Sequence, residues 1–256
     1  MTKAIILAAG VGSRLRPFTD DRPKGMVEIS GKPILEYQFE TLKASGINEV
    51  IVVCGYKKDK IIAQSVNITK VENPRWAETN MVYSLYCAKE WLTGDVILSY
   101  ADIIYHKSVL DKVLSNSSDI VVSADRQFLR YWKLRLENPL EDLESFSLDL
   151  KGCISEIGQK CDSLNAIEAQ YIGLMRFQNS GLDMLNEILF QNSKLDTFDM
   201  MYMTDLLTDL IQKDVCLTPS YHENNWLEID SVDDLNLAEK AIEGHAEINL
   251  IQGLNN

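Results

Sequence analysis

The sequence predicts an α/β fold in which an open, mostly parallel β-sheet is flanked by helices. Three features predict this class: apolar runs short enough for strands, amphipathic segments with helical periodicity between them, and glycine-containing polar segments directly after several runs. This alternation is typical of βαβ units, in which a helix joins two parallel strands.

The first 125 residues carry the alternation most clearly. Four apolar runs predict strands, at residues 3–8, 49–54, 95–100 and 119–124. Three amphipathic segments predict the helices between them, at residues 33–45, 80–92 and 108–115. Proline in the first turn and Gly46 after the last turn mark the ends of the first helix, and Asn80 is a good N-cap for the second.

The rest of the chain is less regular. Residues 126–158 mix polar and aromatic side chains, which favours a lid or an antiparallel excursion. Later segments predict helices at 180–191, 199–212 and 231–243, and short strands at 215–217 and 226–229. Because repeats and long linkers are absent, residues 1–247 are expected to form a single domain. Its halves are residues 1–125 and 126–247, and residues 248–256 are expected to fray.

Composition and charge exclude several classes of protein. With 256 residues, 46% of them hydrophobic, the chain can bury a core of domain size. Its longest apolar runs are far shorter than the roughly 20 residues that cross a bilayer, so no membrane partner is expected. A net charge of −13 repels nucleic acid at long range, so no nucleic-acid partner is expected either.

The cysteines indicate a reducing compartment. Five are scattered along the chain without a CxxC pair, at Cys54, Cys87, Cys153, Cys161 and Cys216. This pattern predicts free thiols in a cytoplasmic protein, with neither a disulfide framework nor a zinc site.

The segment after the first predicted strand has the composition of a phosphate-binding loop. Gly10 and Gly12 allow backbone N–H groups to turn towards phosphate oxygens, and Arg14 supplies a forked donor for the same oxygens. Lys24 adds a positive charge where negative charge grows in a transition state. The loop lacks the third glycine of a dinucleotide fingerprint and the terminal lysine-serine or lysine-threonine of a P-loop, so dehydrogenases and P-loop kinases are disfavoured.

Extended through Pro23 and Lys24, this segment matches the pattern GxGxRLxPxTxxxPK. It resembles the nucleotidyltransferases that activate sugar phosphates and choline phosphate, and the resemblance extends more loosely to about Leu237. The resemblance implies a Rossmann-like mixed sheet of nucleotidyltransferase (GT-A-like) architecture. It also implies transfer of a nucleoside monophosphate with Mg²⁺ as cofactor and pyrophosphate as the leaving group. The half 1–125 would bind the nucleotide and the half 126–247 the acceptor.

Residue roles follow from this interpretation of the loop. Lys24 and Arg14 are the candidate catalytic residues, which neutralise charge on the reacting phosphates while an anionic acceptor phosphate attacks in line. The candidate nucleotide-binding residues come from the loop, from the start of the second predicted helix and from the end of the third predicted strand. They are Leu7, Ala8, Ala9, Gly10, Gly12, Ser13, Asn80, Met81, Ser84 and Ala101.

Three acids are candidate ligands for Mg²⁺. Asp102 follows the third predicted strand and so lies at the same sheet edge as the phosphate loop. Hard Mg²⁺ prefers carboxylate and phosphate oxygens and usually takes one or two protein ligands. The family usually has glycine before this aspartate, and alanine here is a mild departure. The segment 226–231 resembles the second metal segment of the family, in which alternate residues place Glu228 and Asp230 on one face.

The predicted helix start at Asn80 bears on the choice of nucleotide. Its Asn-x-x-Tyr-Ser-Leu run is similar to choline-phosphate and related cytidylyltransferases, whereas sugar-phosphate enzymes tend to have a glycine-leucine-alanine run here. The resemblance therefore implies CTP as the donor. The alternatives are a sugar-1-phosphate transferase that uses UTP or dTTP, and a nucleotide-sensing domain without catalysis. Such a sensor should lose Lys24 or Asp102, and both are present.

Four residues are candidates for binding the acceptor. Glu168 and Tyr171 belong to a segment that resembles the substrate-side strand of the family, and either suits a cationic or amino group. Trp132 offers a face to a quaternary ammonium, an attraction worth roughly 1 to 2 kcal/mol when desolvated. Glu168 with Arg126 or Arg130 suits an amino acid-like acceptor. Phosphocholine, aminoethylphosphonate and a phosphorylated amino acid derivative such as phosphoglutamine all stay open, and a homodimer is compatible with the sequence.

Overall fold

A computed structural model of the chain describes residues 1–244, 250 and 251. The predicted frayed tail at 248–256 lies mostly outside these residues. Leu250 and Ile251, which are described, are buried against the core.

Thirteen strands lie within the described residues. They are β1 (Thr2–Ala8), β2 (Glu28–Ile29), β3 (Lys32–Pro33), β4 (Glu49–Cys54), β5 (Ile68–Glu72), β6 (Asp95–Tyr100), β7 (Ile103–Tyr105), β8 (Ile120–Asp125), β9 (Glu144–Leu148), β10 (Ile154–Lys160), β11 (Gln170–Gln178), β12 (Thr218–His222) and β13 (Trp226–Glu228).

Seven α-helices accompany these strands in the described part of the chain. They are α1 (Ile34–Ala44), α2 (Met81–Cys87), α3 (Lys107–Ser115), α4 (Phe128–Arg135), α5 (Asn179–Asn192), α6 (Met203–Gln212) and α7 (Val232–Ile242). None of the helices in the described residues is long and apolar enough to cross a membrane.

Seven strands form the central sheet, in the spatial order β12-β8-β11-β6-β1-β4-β5. Strand β11 runs antiparallel to both of its neighbours, and the other pairs are parallel. Successive residues of a strand point to opposite faces, so Ile6 packs in the core cluster that includes α1 and α3, and Ile5 in the cluster that includes α2 and α5. The predicted class, a mixed and mostly parallel sheet between helices, is confirmed.

The pairing of strands brings the polar segments of the sequence together. Strands β1 and β6 are parallel neighbours, with Leu7 opposite Tyr100, so the loop after β1 and Asp102 after β6 share one sheet edge. Strand β13 pairs with β7, and the backbone N–H of Ile229 donates to the carbonyl of Asp102 at 2.8 Å. This places Asp230 beside Asp102, although 128 positions separate them in the chain.

Several predicted elements differ from those observed. The edge strand β5 was not predicted, because Thr69, Lys70 and Glu72 leave it only two apolar residues. The predicted helix at 80–92 ends at Cys87 and is followed by a short 3₁₀ turn.

Within 126–158, the antiparallel excursion is confirmed as β9 and β10, but α4 was missed because polar and aromatic residues mask its helical period. The strand predicted at 215–217 is observed a few residues later, as β12. The helix predicted at 199–212 begins at Met203 instead of residue 199.

The prediction of free thiols throughout is wrong, because Cys153 and Cys216 form a disulfide with their Cα atoms 5.3 Å apart. The two residues stand just before β10 and β12, and the N–H of Ile154 donates to the carbonyl of Leu217 at 2.9 Å. Folding of the β9–β10 excursion onto the sheet edge makes this contact, which a separation of 63 residues does not reveal. The cysteine pattern therefore no longer supports a cytoplasmic location, which stays a prediction.

Candidate active site

The phosphate loop has a backbone that requires glycine at one position. Gly12 has a φ of +69°, and a Cβ there would lie 2.8 Å from the Cβ of Lys24. The Thr19 hydroxyl donates to the Gly12 carbonyl at 3.0 Å, and the fully buried Leu15 anchors the following turn. Gly10 has open space where a side chain would be. The loop is thus fixed from the protein side and open towards the adjoining pocket.

Lys24 joins the loop to two carboxylates. Its Nζ donates to Asp102 Oδ2 at 2.7 Å and to Asp230 Oδ1, and Arg14 Nη2 donates to Asp230 Oδ2 at 2.9 Å. Burial disfavours the charged ammonium, but the carboxylates of Asp102 and Asp230 outweigh it and raise the pKa of Lys24. Burial works against the carboxylate of Asp230, and Lys24 then lowers the pKa of Asp230 below its ordinary value. The two predicted catalytic residues and two of the three predicted metal ligands therefore form one charge cluster.

The same cluster fits a divalent cation. The Lys24 ammonium lies between the carboxylates of Asp102 and Asp230, so one cation can contact both. Asp102 Oδ1 is buried without a hydrogen-bond partner, as a free coordinating oxygen would be. No cluster of three or more histidine, cysteine, aspartate or glutamate side chains suited to a metal occurs among the described residues. A site with two protein carboxylates matches Mg²⁺, which takes its other oxygens from phosphates and water.

Glu228, the third predicted ligand, is placed differently. Its Oε2 accepts from Arg135 Nη1 at 2.6 Å, so one carboxylate oxygen already has a cation. Burial raises the pKa of Glu228 above its ordinary value, and the charge of Arg135 opposes this effect. Glu228 therefore stands beside the cluster rather than within it.

A pocket of about 270 Å³ opens between the phosphate loop and the start of α2. It contains the predicted catalytic pair and nine of the ten predicted nucleotide-binding residues, all except Ser13. Trp76 and Thr79 also line it, although neither is among the ten predicted nucleotide-binding residues. The ring of Trp76 packs edge-on against Tyr56, with centroids 5.4 Å apart, an arrangement of two loops that the sequence does not signal.

Hydrogen bonds fix the wall of this pocket near α2. The Asn80 side chain accepts from the Met81 N–H at 2.8 Å, so Asn80 caps the helix, as its sequence position predicted. The fully buried Asn73 donates to the hydroxyls of both Thr79 and Ser84, at 3.0 and 3.1 Å. The pocket therefore has a preformed polar wall.

A second pocket of about 280 Å³ adjoins the first and shares Arg14, Asp102 and Asp230 of the charge cluster with it. Its lining has three further carboxylates, those of Asp142, Glu144 and Glu228. Burial raises the pKa of Glu144, the largest effect on that carboxyl. Aromatic rings complete the wall, from Tyr100, Trp132, Tyr171 and Tyr202. Arg14 is the only basic residue in this lining among the described residues, so the pocket suits a ligand with a cationic group.

The four predicted acceptor residues divide into two pairs. Tyr171 and Trp132 line the second pocket, and the Trp132 indole N–H donates to Asp142 at 3.0 Å. Glu168 is exposed and accepts from the Leu148 N–H at 2.9 Å, and it does not line that pocket.

Arg126 lies outside the second pocket as well. Its guanidinium stacks on Tyr221 at 3.7 Å, in a separate surface pocket. Asp142 and Glu144 were missed, because they fall in the region 126–158 whose strands the sequence did not place.

Comparisons with known proteins identify the family. The family model of the MobA-like NTP transferase domain matches residues 4–153. The CTP:phosphoglutamine cytidylyltransferase of Campylobacter jejuni is 39% identical over 250 residues, which cover 91% of this chain and 97% of that protein. The choline-phosphate cytidylyltransferase of Streptococcus pneumoniae is 41% identical over 118 residues, 45% of this chain and 51% of that protein.

Solved structures give the same result. The CTP:phosphocholine cytidylyltransferase structure from S. pneumoniae superposes with a TM-score of 0.70 at 26% identity, covering 94% of this chain and 99% of that one. The inositol-1-phosphate CTP transferase of T. maritima superposes with a TM-score of 0.76 at 21% identity, covering 95% and 97%, which supports the fold alone. The resemblance predicted from the GxGxRLxPxTxxxPK segment is confirmed.

Proposed function

The chain belongs to the MobA-like NTP transferase family, and we propose that it is a CTP-dependent cytidylyltransferase. It transfers CMP from CTP to a small phosphorylated or phosphonate acceptor and releases pyrophosphate. The likeness to the C. jejuni CTP:phosphoglutamine cytidylyltransferase, which spans nearly both whole chains, supports CTP as the donor. The S. pneumoniae choline-phosphate enzyme supports the same donor with another acceptor.

One observation carries the proposal: the two pockets meet at the charge cluster. Arg14, Asp102 and Asp230 line both of them, and Lys24 contacts both carboxylates. A nucleotide in the first pocket and an acceptor in the second would have their phosphates side by side at this junction. Holding two substrates in this way removes a large part of the entropic barrier to transfer between them.

The reaction needs little acid–base help. An acceptor phosphate oxygen, anionic at neutral pH, forms a bond to the α-phosphorus of CTP, while the bond from that phosphorus to the bridging oxygen of the β-phosphate breaks. The electron pair of the broken bond leaves with pyrophosphate. Lys24 and Arg14 neutralise the charge that grows on the phosphate oxygens, and the glycines of the loop leave room for the departing group.

We assign Mg²⁺ to the carboxylates of Asp102 and Asp230, with Glu228 as close support. When bound, this ion would polarise the α-phosphate and offset its negative charge. The protein contributes two fixed carboxylates, and the nucleotide supplies most of the remaining oxygens.

We propose an acceptor that carries an ammonium or amino group. Asp142 and Glu144 supply negative charge in the second pocket, and Trp132 and Tyr171 supply ring faces for a cation. We therefore call the second pocket the acceptor pocket. Phosphocholine, aminoethylphosphonate and phosphoglutamine all present such a group together with a phosphorus oxyanion. Sugar 1-phosphates whose sugar is uncharged have no cationic group to pair with these carboxylates.

The test is pyrophosphate release with CTP, UTP, dTTP, ATP and GTP, each against phosphocholine, aminoethylphosphonate, phosphoglutamine and sugar 1-phosphates in the presence of Mg²⁺. Turnover with CTP and an amino or ammonium acceptor is the expected result. Turnover with UTP or dTTP and a sugar 1-phosphate would overturn the specificity, and a fully active Lys24→Ala variant would overturn the assigned site. No turnover with any pair would favour a nucleotide sensor.

A further inference from the structure

Arg135, the last residue of α4, is a buried cation that contacts several acids. Its side chain is 5% exposed. Its Nη1 donates to Glu228 Oε2 at 2.6 Å, and its Nε and Nη2 donate to the two oxygens of Asp234 at 2.8 and 3.4 Å. Asp142 of the second pocket lies 3.7 Å from the same guanidinium.

We propose that Arg135 is a positioning residue for the transfer reaction, because it holds Glu228 directly and the turn that carries Asp230 indirectly. This inference rests on the proposed function. The indirect link passes through Asp234, whose Oδ2 accepts from the backbone N–H groups of Asp230 and Ser231 at 3.1 and 2.9 Å. The guanidinium thereby fixes the orientation of Asp234, and Asp234 fixes the turn.

The Asp234 carboxylate makes more hydrogen bonds than the capping of a helix requires. Capping of α7 uses Oδ2 alone, which bonds to the backbone and hydroxyl of Ser231. Asp234 Oδ1 faces Arg135 instead. The pair of contacts matches the fork of a guanidinium, which a lysine ammonium does not reproduce.

The same helix reaches Glu228 by a second route. The Tyr131 hydroxyl accepts from the Glu228 N–H at 2.9 Å and donates to the Glu228 carbonyl at 3.0 Å. One turn of α4 therefore fixes both the backbone and the side chain of Glu228. Trp132, between Tyr131 and Arg135, lines the acceptor pocket. A single helix thus connects the wall of the second pocket to Glu228 and, through Asp234, to the turn that carries Asp230.

Arg135 acts through other groups and does not line either pocket. Without its charge, the carboxylates of Glu228 and Asp234 would lose their shared cation and move from these positions. The Asp230 turn would then lose one of its supports. Partners that orient the ligands of a metal typically change metal affinity or activity by about 10- to 100-fold when they are removed.

Arg135→Met and Arg135→Lys test this role, with Arg176→Lys as a matched control. Arg176 makes a bidentate contact with Asp95, at 2.8 and 2.9 Å, like the contact of Arg135 with Asp234. The Arg176 side chain is also largely buried. Asp95 opens β6, at the end of the strand opposite to the active site. The control therefore loses a comparable ion pair without touching the metal carboxylates.

The direct readout is Mn²⁺ binding in the presence of CTP, followed by electron paramagnetic resonance, with thermal unfolding and steady-state kinetics beside it. We expect Mn²⁺ affinity and kcat to fall by about 10- to 100-fold in Arg135→Met. Arg135→Lys should lose most of the same affinity, because an ammonium cannot hold Glu228 and Asp234 together. Arg176→Lys should lower the melting temperature and leave Mn²⁺ affinity unchanged.

Mn²⁺ affinity equal to wild type in folded Arg135→Lys would overturn the inference, as would an equal loss in Arg176→Lys. If Arg135→Met does not fold, Arg135→Lys decides alone. The proposed function is judged separately, since it fails if the wild-type protein does not turn over CTP. A loss of Mn²⁺·CTP binding in Arg135→Lys supports the positioning role in either case.

Discussion

The phosphate loop takes its parts from one stretch of chain, residues 7–24, whereas the acceptor pocket collects side chains from β6, α4, β9, β11, α6 and β13. In the loop, function depends on the local backbone, which glycine and proline determine. In the pocket, function depends on how distant elements pack. Changes in the loop should therefore lower kcat, and changes in the pocket should raise the KM of the acceptor.

The largest expected effect comes from the loop. Lys24→Ala removes the ammonium at the junction of the two pockets, and kcat should fall by about 10²- to 10³-fold, the range for loss of one preorganised charge-stabilising donor. Pyrophosphate release under saturating substrates measures it. The control is Lys58→Ala, which removes an exposed lysine paired with Glu72. Equal activity of the two variants would contradict the role of Lys24.

Gly12→Ala, compared with a second glycine variant, separates backbone strain from contact with Lys24. The new Cβ would lie 2.8 Å from Lys24 Cβ and displace that side chain, and a shift near 1 Å costs up to about 10²-fold in rate. Gly46→Ala is the matched control, because Gly46 has a φ of +81° and open space where a Cβ would stand. It should lose about 1 to 2 kcal/mol of stability and keep full kcat. Full kcat in Gly12→Ala would contradict an effect through displacement of Lys24.

A change in the acceptor pocket should give a smaller effect, confined to the acceptor. Glu144→Gln should raise the KM of an ammonium-bearing acceptor by about tenfold, or about 1.4 kcal/mol, and leave the KM of CTP unchanged. Glu156→Gln, on the exposed side of neighbouring β10, is the control and should have no effect. An increase in the KM of CTP would place Glu144 on the nucleotide side.

The acceptor pocket should also show a dependence on pH. Burial, followed by the charges of Asp142 and Asp205, raises the pKa of Glu144 above its ordinary value of 4.5. A carboxyl with a raised pKa is neutral at low pH, so the KM of an ammonium acceptor should fall as pH rises through that pKa. KM profiles of wild type and Glu144→Gln measure this contribution. Identical profiles would assign the dependence to another group.

The smallest effect on activity is expected from the disulfide. Cys153 and Cys216 line neither active-site pocket, so the double alanine variant should keep its kcat and both KM values. Its free energy of unfolding should drop by about 4 kcal/mol, because the bond closes a loop of 63 residues. Urea unfolding measures it, with Cys87→Ala as the free-thiol control. Loss of activity at unchanged stability would contradict the separation of this bond from the site.

The same contrast explains which features the sequence could predict. Gly10, Gly12 and Lys24 act within one short segment, so their spacing carries the signal. Asp230 was found only through resemblance, because strand pairing brings it to Asp102. Arg135 and Glu144 were missed, since each depends on how α4 and β9 pack, and no periodic pattern marks that packing. The position of Glu168 depends on the same packing. Glu168 was expected at the acceptor pocket, but its carboxylate accepts from the Leu148 N–H outside that pocket.

Most of the sheet was predictable for a related reason. Strands such as β1 and β4 are buried on both faces and appear as continuous apolar runs. Strand β5, at the sheet edge, is half-exposed and carries no such run. The contact between Cys153 and Cys216 lies at the opposite edge, beside β12, and depends on packing that the sequence also leaves undetermined.

The central claim is that the acceptor bound in the second pocket directly attacks the α-phosphorus of the nucleotide bound in the first. The most direct measurement is the stereochemistry at the α-phosphorus, obtained with one diastereomer of α-thio-CTP and an amino-bearing acceptor and analysed by ³¹P NMR of the product. A single in-line displacement predicts inversion of configuration. Retention would require two displacements through a covalent enzyme intermediate, which would contradict direct transfer between the two pockets.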